Sequence, residues 1–378
     1  MRWMWACLVF LLSVAVTQAA TFTVTTTADD PVGACDADCS LREAVIAANQ
    51  TTAHDTIVVP AGAYVLTLSG PGEDSALTGD LDLLHEVTIL GDAGGGTVID
   101  GNLADRLVHM FGAVVELRDL TLTRGSTTGD FFGAGGILVE DGTLTMVRCT
   151  ISDCATDGHG GGIFSLGSVR LERSLVTGNS SHAYGGGIQH AGTVLTLVNS
   201  TVSANTTLID GAGGVDIDGL ALATHITSCT FSANSGPDAA GLSVRSSLVI
   251  ANTVVDGSCD VVPGMGDVQS EGGNLESSGD TCGLDHLKDA VNVAASLLAL
   301  GPLQDNGGPT WTHALSPGSV ALDVGSNPLC PVTDQRDWQR HDGACDIGAF
   351  ELGAAAPPLF ADGFESGDTS GWTAAVGG

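Results

Sequence analysis

Lysine is almost missing from this chain: Lys288 is the only one among 12 Lys and Arg residues, set against 44 Asp and Glu, and the net charge over 378 residues is −32. A surface of that sign repels phosphate backbones and anionic lipid, so no nucleic-acid partner is expected. Aromatic residues are scarce at 4%, while glycine supplies 53 positions. Glycine weakens helix interiors, so this composition argues against a helical bundle and for turn-rich β structure. Long apolar runs are lacking too. The stretch Ala6 to Val16 after Arg2 is short of the ~20 residues of a membrane span. With Ala19 and Ala20 behind it, it reads as a secretory signal peptide over residues 1–20, leaving a mature chain with no integral span. Gly-x-Ser-x-Gly, phosphate-loop and His-Glu-x-x-His motifs are absent.

Ten cysteines are present, and Cys7 leaves with the signal peptide. Outside the cytosol the rest read as disulfides rather than metal thiolates. Nearest-neighbour pairing gives Cys35 with Cys39, Cys259 with Cys282, and Cys330 with Cys345. A bridge between Cys149 and Cys154 stays open, and Cys229 is left over as a small buried apolar side chain.

Between Gly135 and Leu242 the chain repeats. Gly135-Gly136-Ile137, Gly161-Gly162-Ile163, Gly186-Gly187-Ile188, Gly213-Gly214-Val215 and Ala240-Gly241-Leu242 place an apolar residue at steps of 26, 25, 27 and 27. A second motif keeps time with it, ending in Asn179, Asn205 and Asn234. A period of this size with short alternating strands predicts a parallel β-solenoid of about 26 residues per coil, rungs ~4.8 Å apart. Ile137, Ile163, Ile188, Val215 and Leu242 should form an internal aliphatic stack. The three Asn should form a turn ladder in left-handed backbone, and Cys149 should fall in register with Ser174, Ser200 and Cys229.

Both ends differ from the middle. Ser40-Leu41-Arg42-Glu43 is a capping box opening a short helix, with Leu41, Ala44, Val45 and Ala48 on one face. The segment Cys39-Ser40-Leu41-Arg42-Glu43-Ala44 resembles the CSLREA domain. Gly301-Pro302-Leu303-Gln304-Asp305-Asn306-Gly307-Gly308-Pro309-Thr310, with Asp334-Gln335-Arg336 and Asp346-Ile347-Gly348-Ala349-Phe350-Glu351, resembles the choice-of-anchor Q region. The glycine repeats are similar to those of polymorphic outer-membrane proteins. One departure is Asp337, where that resemblance expects glycine. These resemblances imply an all-β, right-handed parallel β-helix of the pectate-lyase-like kind, with a capping helix and an irregular disulfide-bonded C-terminal cap. They also imply a secreted, cell-surface or outer-membrane bacterial protein, and they carry no catalytic residue. The expected organisation is a signal peptide at 1–20, N-terminal cap at 21–55, coils at 56–258, C-terminal cap at 259–351, and linker and tail at 352–378.

Chemistry has two candidate places. The turns before the glycine motif carry His159, His182 and Asp210, an imidazole and carboxylate set suited to acid–base cleavage of a glycosidic bond. Asp216 and Asp218, with Arg245 one coil on, are candidates for a calcium site of the polysaccharide-lyase type. Loose register and the ordinary use of Asp in turns favour solvated turns at both places. His313, Asp334, Arg336, Arg340, Asp346, Glu351, Trp311 and Trp338 read as a cap network. The sequence therefore favours a monomeric, non-catalytic binder of a polysaccharide, cell-surface or matrix ligand. A polysaccharide lyase or glycoside hydrolase and a structural envelope protein are the alternatives.

Overall fold

The computed structural model describes residues 18–32, 34–70, 72–340 and 343–356. The expected signal peptide, apart from Gln18–Ala20, and the tail beyond Ala356 lie outside the described residues. Strands pair parallel, coil on coil. Ile137 is aligned with Ile163, then Ile188, Val215, Leu242 and Cys259, and the five aliphatic side chains are fully buried, as the repeat predicts. This glycine-motif face continues into a second face, formed by Ser168–Glu172, Val194–Val198, Ala223–Thr227 and Ser247–Ala251. Val108–Arg118 and Ile137–Val147 run unbroken through the corner between the two, making one 16-stranded sheet. Gly112 and Gly142 turn that corner at φ 72° and 88°. A third face of 10 strands includes Leu175–Thr177, Thr201–Ser203, Thr230–Ser232 and Val254–Asp256.

The glycine motif has a steric cause. A Cβ on Gly161 would stand 2.2 Å from the Gly186 carbonyl oxygen of the next rung, and one on Gly186 would stand 2.5 Å from that of Gly213. Only glycine lets the rungs approach this closely. The Asn ladder forms as well, although not in left-handed backbone. That conformation belongs to the residue before each Asn, at Gly178, Ala204 and Ala233. The amides instead point inward, where Asn179 Nδ2 donates to Asn205 Oδ1 at 2.9 Å and Asn205 Nδ2 to Asn234 Oδ1 at 3.0 Å. Cys149 donates its backbone N–H to Ser174 Oγ, and Ser174 to Ser200 Oγ, completing the second expected ladder.

The stack is longer than 56–258. Thr21–Thr23 already pairs with Asp55–Val58, and Cys259–Val261, Asp267–Gly272, Leu275–Ser277 and Ala290–Val293 still pair rung on rung. These coils lack the glycine motif, so their period is hidden; backbone pairing does not require it. Helix Leu41–Ala48 has the reciprocal capping box, Ser40 Oγ accepting from Glu43 N and Glu43 Oε2 from Ser40 N. Its expected apolar face is buried. Arg42 is buried as well, paired with Asp29 at 2.6 Å and donating to the carbonyls of Ala76, Gly79 and Asp80.

The three expected disulfides are present. Cys149, Cys154 and Cys229 are free and buried, their thiols pushed up to about 12 by desolvation. The bridge left open between Cys149 and Cys154 is not made.

Residues 300–351 do more than close an end. They fold back along the third face, with Thr310 Oγ1 donating to the Arg173 carbonyl, Gln335 Oε1 accepting from Thr201, and His313 Nε2 2.9 Å from Ser203 Oγ. Strands under this segment, such as Thr201–Ser203, are buried throughout, whereas Thr150–Ser152 before it alternates. Arg336 lies between the rings of Trp338 and Phe350, 4.1 and 3.8 Å from their centroids, and is paired with Asp334 at 2.6 Å. Asp337 has φ 66°, the conformation for which glycine was expected. Its carboxylate reaches Arg173 at 2.9 Å and Arg148 at 3.6 Å, a use that glycine cannot have.

Candidate functional site

In each strand of the glycine-motif face the outer two residues point into the coil and the middle one points out. Pairing aligns these middle residues as Asp82, His109, Leu138, Phe164, Gln189, Asp216 and Ser243. All are buried despite facing outward, because the preceding turns bend back over them. Gly160 and Gly185, at φ 63° and 62°, lie so close to the following strand that a Cβ would meet the Ile163 and Ile188 carbonyl oxygens at 2.3 and 2.4 Å.

The central part of this row is aromatic. His159 stacks on Tyr184 at 5.3 Å with 4° between the planes, and Phe164 lies 5.5 Å from His159. Phe131 and Phe132 form an edge-to-face pair at 5.3 Å next to His159, and they are 62% and 61% exposed. Asp130 holds their turn by accepting from Phe132 N. Burial lowers the His159 pKa.

One coil on, Tyr184 donates to Asp210 Oδ2 at 2.7 Å, and the Arg245 guanidinium lies 5.4 Å over the Tyr184 ring. Arg245 Nη1 reaches both Asp216 oxygens at 2.9 Å, and Nη2 lies 3.4 Å from Asp238. Asp216 is nevertheless raised to about 6, since desolvation outweighs the arginine. Asp210 and Asp238 both accept from Gly211 N and diverge: Tyr184 and Asp238 hold Asp210 low, while desolvation and Asp210 raise Asp238.

At the other end Asp80 lies 2.7 Å from Arg106 Nε and is raised to about 8 by desolvation against the pull of Arg106. Asp82 is raised to about 7 by desolvation. His109 is pushed down to about 3 by desolvation and Arg106.

His159 and Asp210 are thus linked through Tyr184, but His182 is elsewhere. Continuation of the pairing of Thr156 with Ser181 puts His182 level with Asp157. There it is exposed and lines a shallow cavity of about 260 Å³ with Thr128, Asp157 and Leu208. Counting back from the following apolar residue misplaced it, because the turns differ in length. The expected calcium pair is not formed either. Asp216 is held by Arg245, while Asp218 Oδ1 accepts from Leu220 N in its own turn beyond the strand. The cap residues are structural as expected, Arg340 pairing with Glu351 and Asp346 accepting from Asp323 N and Leu352 N. Trp338 packs on Arg336, whereas Trp311 is 54% exposed rather than in a cap core. Sequence reading missed Phe131, Phe132, Tyr184, Asp82 and His109. For Asp82 and His109 the available signal was the middle position of the in-out-in triplets Leu81-Asp82-Leu83 and Val108-His109-Met110; Phe131, Phe132 and Tyr184 lie in turns, where no such period applies.

The description "Right handed beta helix region" matches residues 87–265. The strand pairing makes the chain a parallel β-solenoid, and its central coils are similar to that family. No curated protein matches it. Among solved structures, one titled "Crystal structure of pectate lyase Pel9A" aligns over 89% of this chain and 97% of that one at 13% identity and TM-score 0.41. That likeness is too remote to transfer a site. Among the described residues no helix is long and apolar enough to cross a membrane.

Proposed function

We propose that this is a secreted or surface-displayed β-helix that binds a neutral polysaccharide along the outer row of its glycine-motif face, without cleaving it. The observation that carries this reading is the exposed pair Phe131 and Phe132 beside the stacked His159 and Tyr184. Exposed rings grouped next to fixed polar groups suit the apolar faces and hydroxyls of a sugar chain. Asp210 supplies an acceptor one coil beyond Tyr184, and Asp238 another one coil further on. Their charge, within a chain of −32, disfavours polyuronates.

Cleavage by a glycoside hydrolase is the second reading, favoured by the divergence of Asp210 and Asp238, which resembles an acid and base pair. Calorimetric titration with neutral and uronic oligosaccharides, alongside an assay for new reducing ends, separates the two. Binding of a neutral glycan without product, weakened at least ~10-fold in Phe131→Ala/Phe132→Ala, is the expected result. Product formation abolished by Asp210→Asn would replace the binder with a hydrolase.

A further inference from the structure

At the N-terminal end of the same outer row, Asp74, Asp82 and His109 bring one ligand atom each within 4.8 Å of one another. Asp82 is fully buried and its Oδ2 accepts from Ala76 N at 2.6 Å. Its Oδ1 is also buried, has no hydrogen-bond partner among the described residues, and lies 3.8 Å from His109 Nδ1. A buried carboxylate oxygen left in this state costs free energy unless a cation or proton meets it. On the far side of the imidazole, Nε2 lies 3.2 Å from Glu140 Oε1. His109 Nε2 makes no hydrogen bond among the described residues, and a small rotation of the ring would let it donate to Glu140 and turn the Nδ1 lone pair toward Asp82, the carboxylate–histidine arrangement that orients metal ligands.

We propose that Asp74, Asp82 and His109 bind a divalent first-row transition ion of the zinc class, with Glu140 as the positioning residue for His109. Two carboxylates and one imidazole match that class; calcium asks for six to eight oxygens. Tetrahedral ligands ~2.1 Å from zinc stand ~3.4 Å apart, so the 3.8 Å between Asp82 Oδ1 and His109 Nδ1 needs only a small closure. Arg106 is the nearby cation, and it is already engaged by Asp80 at 2.7 Å and Asp130 at 3.7 Å. Asp74 is exposed and sits in the loop whose Ala76 N bonds to Asp82, so the ion would pin this loop to the first coils.

The test uses the untagged full mature chain, stripped with chelator, titrated calorimetrically with ZnCl₂, MnCl₂ and CaCl₂. One Zn²⁺ per chain is expected, with calcium at least ~100-fold weaker. Asp74→Asn, an exposed change that leaves the fold intact, and His109→Gln should each weaken zinc at least ~10-fold, and Glu140→Gln by ~10-fold. Melting curves confirm that each variant is folded; should His109→Gln fail that check, Asp74→Asn decides. Absence of saturable zinc binding, calcium binding as tight as zinc, or zinc affinity unchanged in Asp74→Asn would overturn the proposal. None of these results depends on whether a glycan binds.

Discussion

Two flanks of one solenoid treat outward polar side chains differently. On the third face Thr201, Ser203 and Thr230, with Asn252 in the turn leading into it, are buried, and each finds a partner in residues 300–340 and 343–351: Gln335, His313, Ala349 N and Ser326. On the glycine-motif face the outward row is buried by its own turns, and Asp82 Oδ1, Gln189 Oε1 and His159 Nδ1 have no hydrogen bond among the described residues. These four groups are satisfied within the chain and contribute to stability, while Ser277 Oγ, near the C-terminal end of the same face, has no partner among the described residues. Those on the glycine-motif face keep hydrogen-bonding capacity in hand, with two exposed phenylalanines beside them, and that is what a ligand face requires.

The largest expected effect comes from breaking the clamped flank. Arg336→Met leaves Asp334 buried without its partner and should cost about 3–5 kcal/mol in urea unfolding. Hydrogen exchange should quicken at Thr201–Ser203 and stay unchanged on the glycine-motif face. Equal quickening on both faces would mean that the clamp is not a local device.

The next effect lies beneath the outer row of the glycine-motif face. His190 points into the coil next to Gln189, is fully buried, and is pushed down to about 4 by desolvation. Its unfolded pKa is ~6.5, so the unfolded chain binds more protons between those values. Stability from this site is therefore full above pH ~6.5 and lost as pH falls toward 4, by up to about 3 kcal/mol. His190→Leu should flatten that acid limb in melting curves and raise stability near neutrality. An unchanged limb would assign acid sensitivity to other groups.

The smallest effect is at Asp337. Replacing it with Gly relieves a left-handed aspartate, worth ~1 kcal/mol, and removes partly exposed pairs with Arg148 and Arg173, worth ~0.2–1 kcal/mol each. A net change within ~1 kcal/mol is expected from thermal unfolding. A larger loss would make those arginines part of the clamp.

Most of the fold was legible because each coil repeats the same steric demand: glycine where rungs touch, an aliphatic residue two positions on, Asn at the inward ladder. The capping box and three nearest-neighbour disulfides were legible for the same reason, since their determinants are close in sequence. The outer row was not. His159 meets Tyr184 and Asp82 meets His109 only through rung pairing, and a turn longer by one or two residues shifts which side chains align. His182 was misplaced for that reason. Arg245 shows the converse: its coil assignment held, yet sequence spacing did not reveal that it occupies Asp216 and so removes that carboxylate from a calcium site.

The central claim is that ligand capacity belongs to the glycine-motif face and not to the clamped flank. Calorimetric titration of a neutral oligosaccharide found by panel screening tests it most directly, on wild type, Phe131→Ala/Phe132→Ala and Asp337→Gly, with melting curves to confirm folding. The account predicts at least a ~10-fold loss of affinity in the double Phe variant and none in the flank variant, all three remaining folded. Affinity unchanged in the double Phe variant, or no saturable neutral glycan at all, would contradict it.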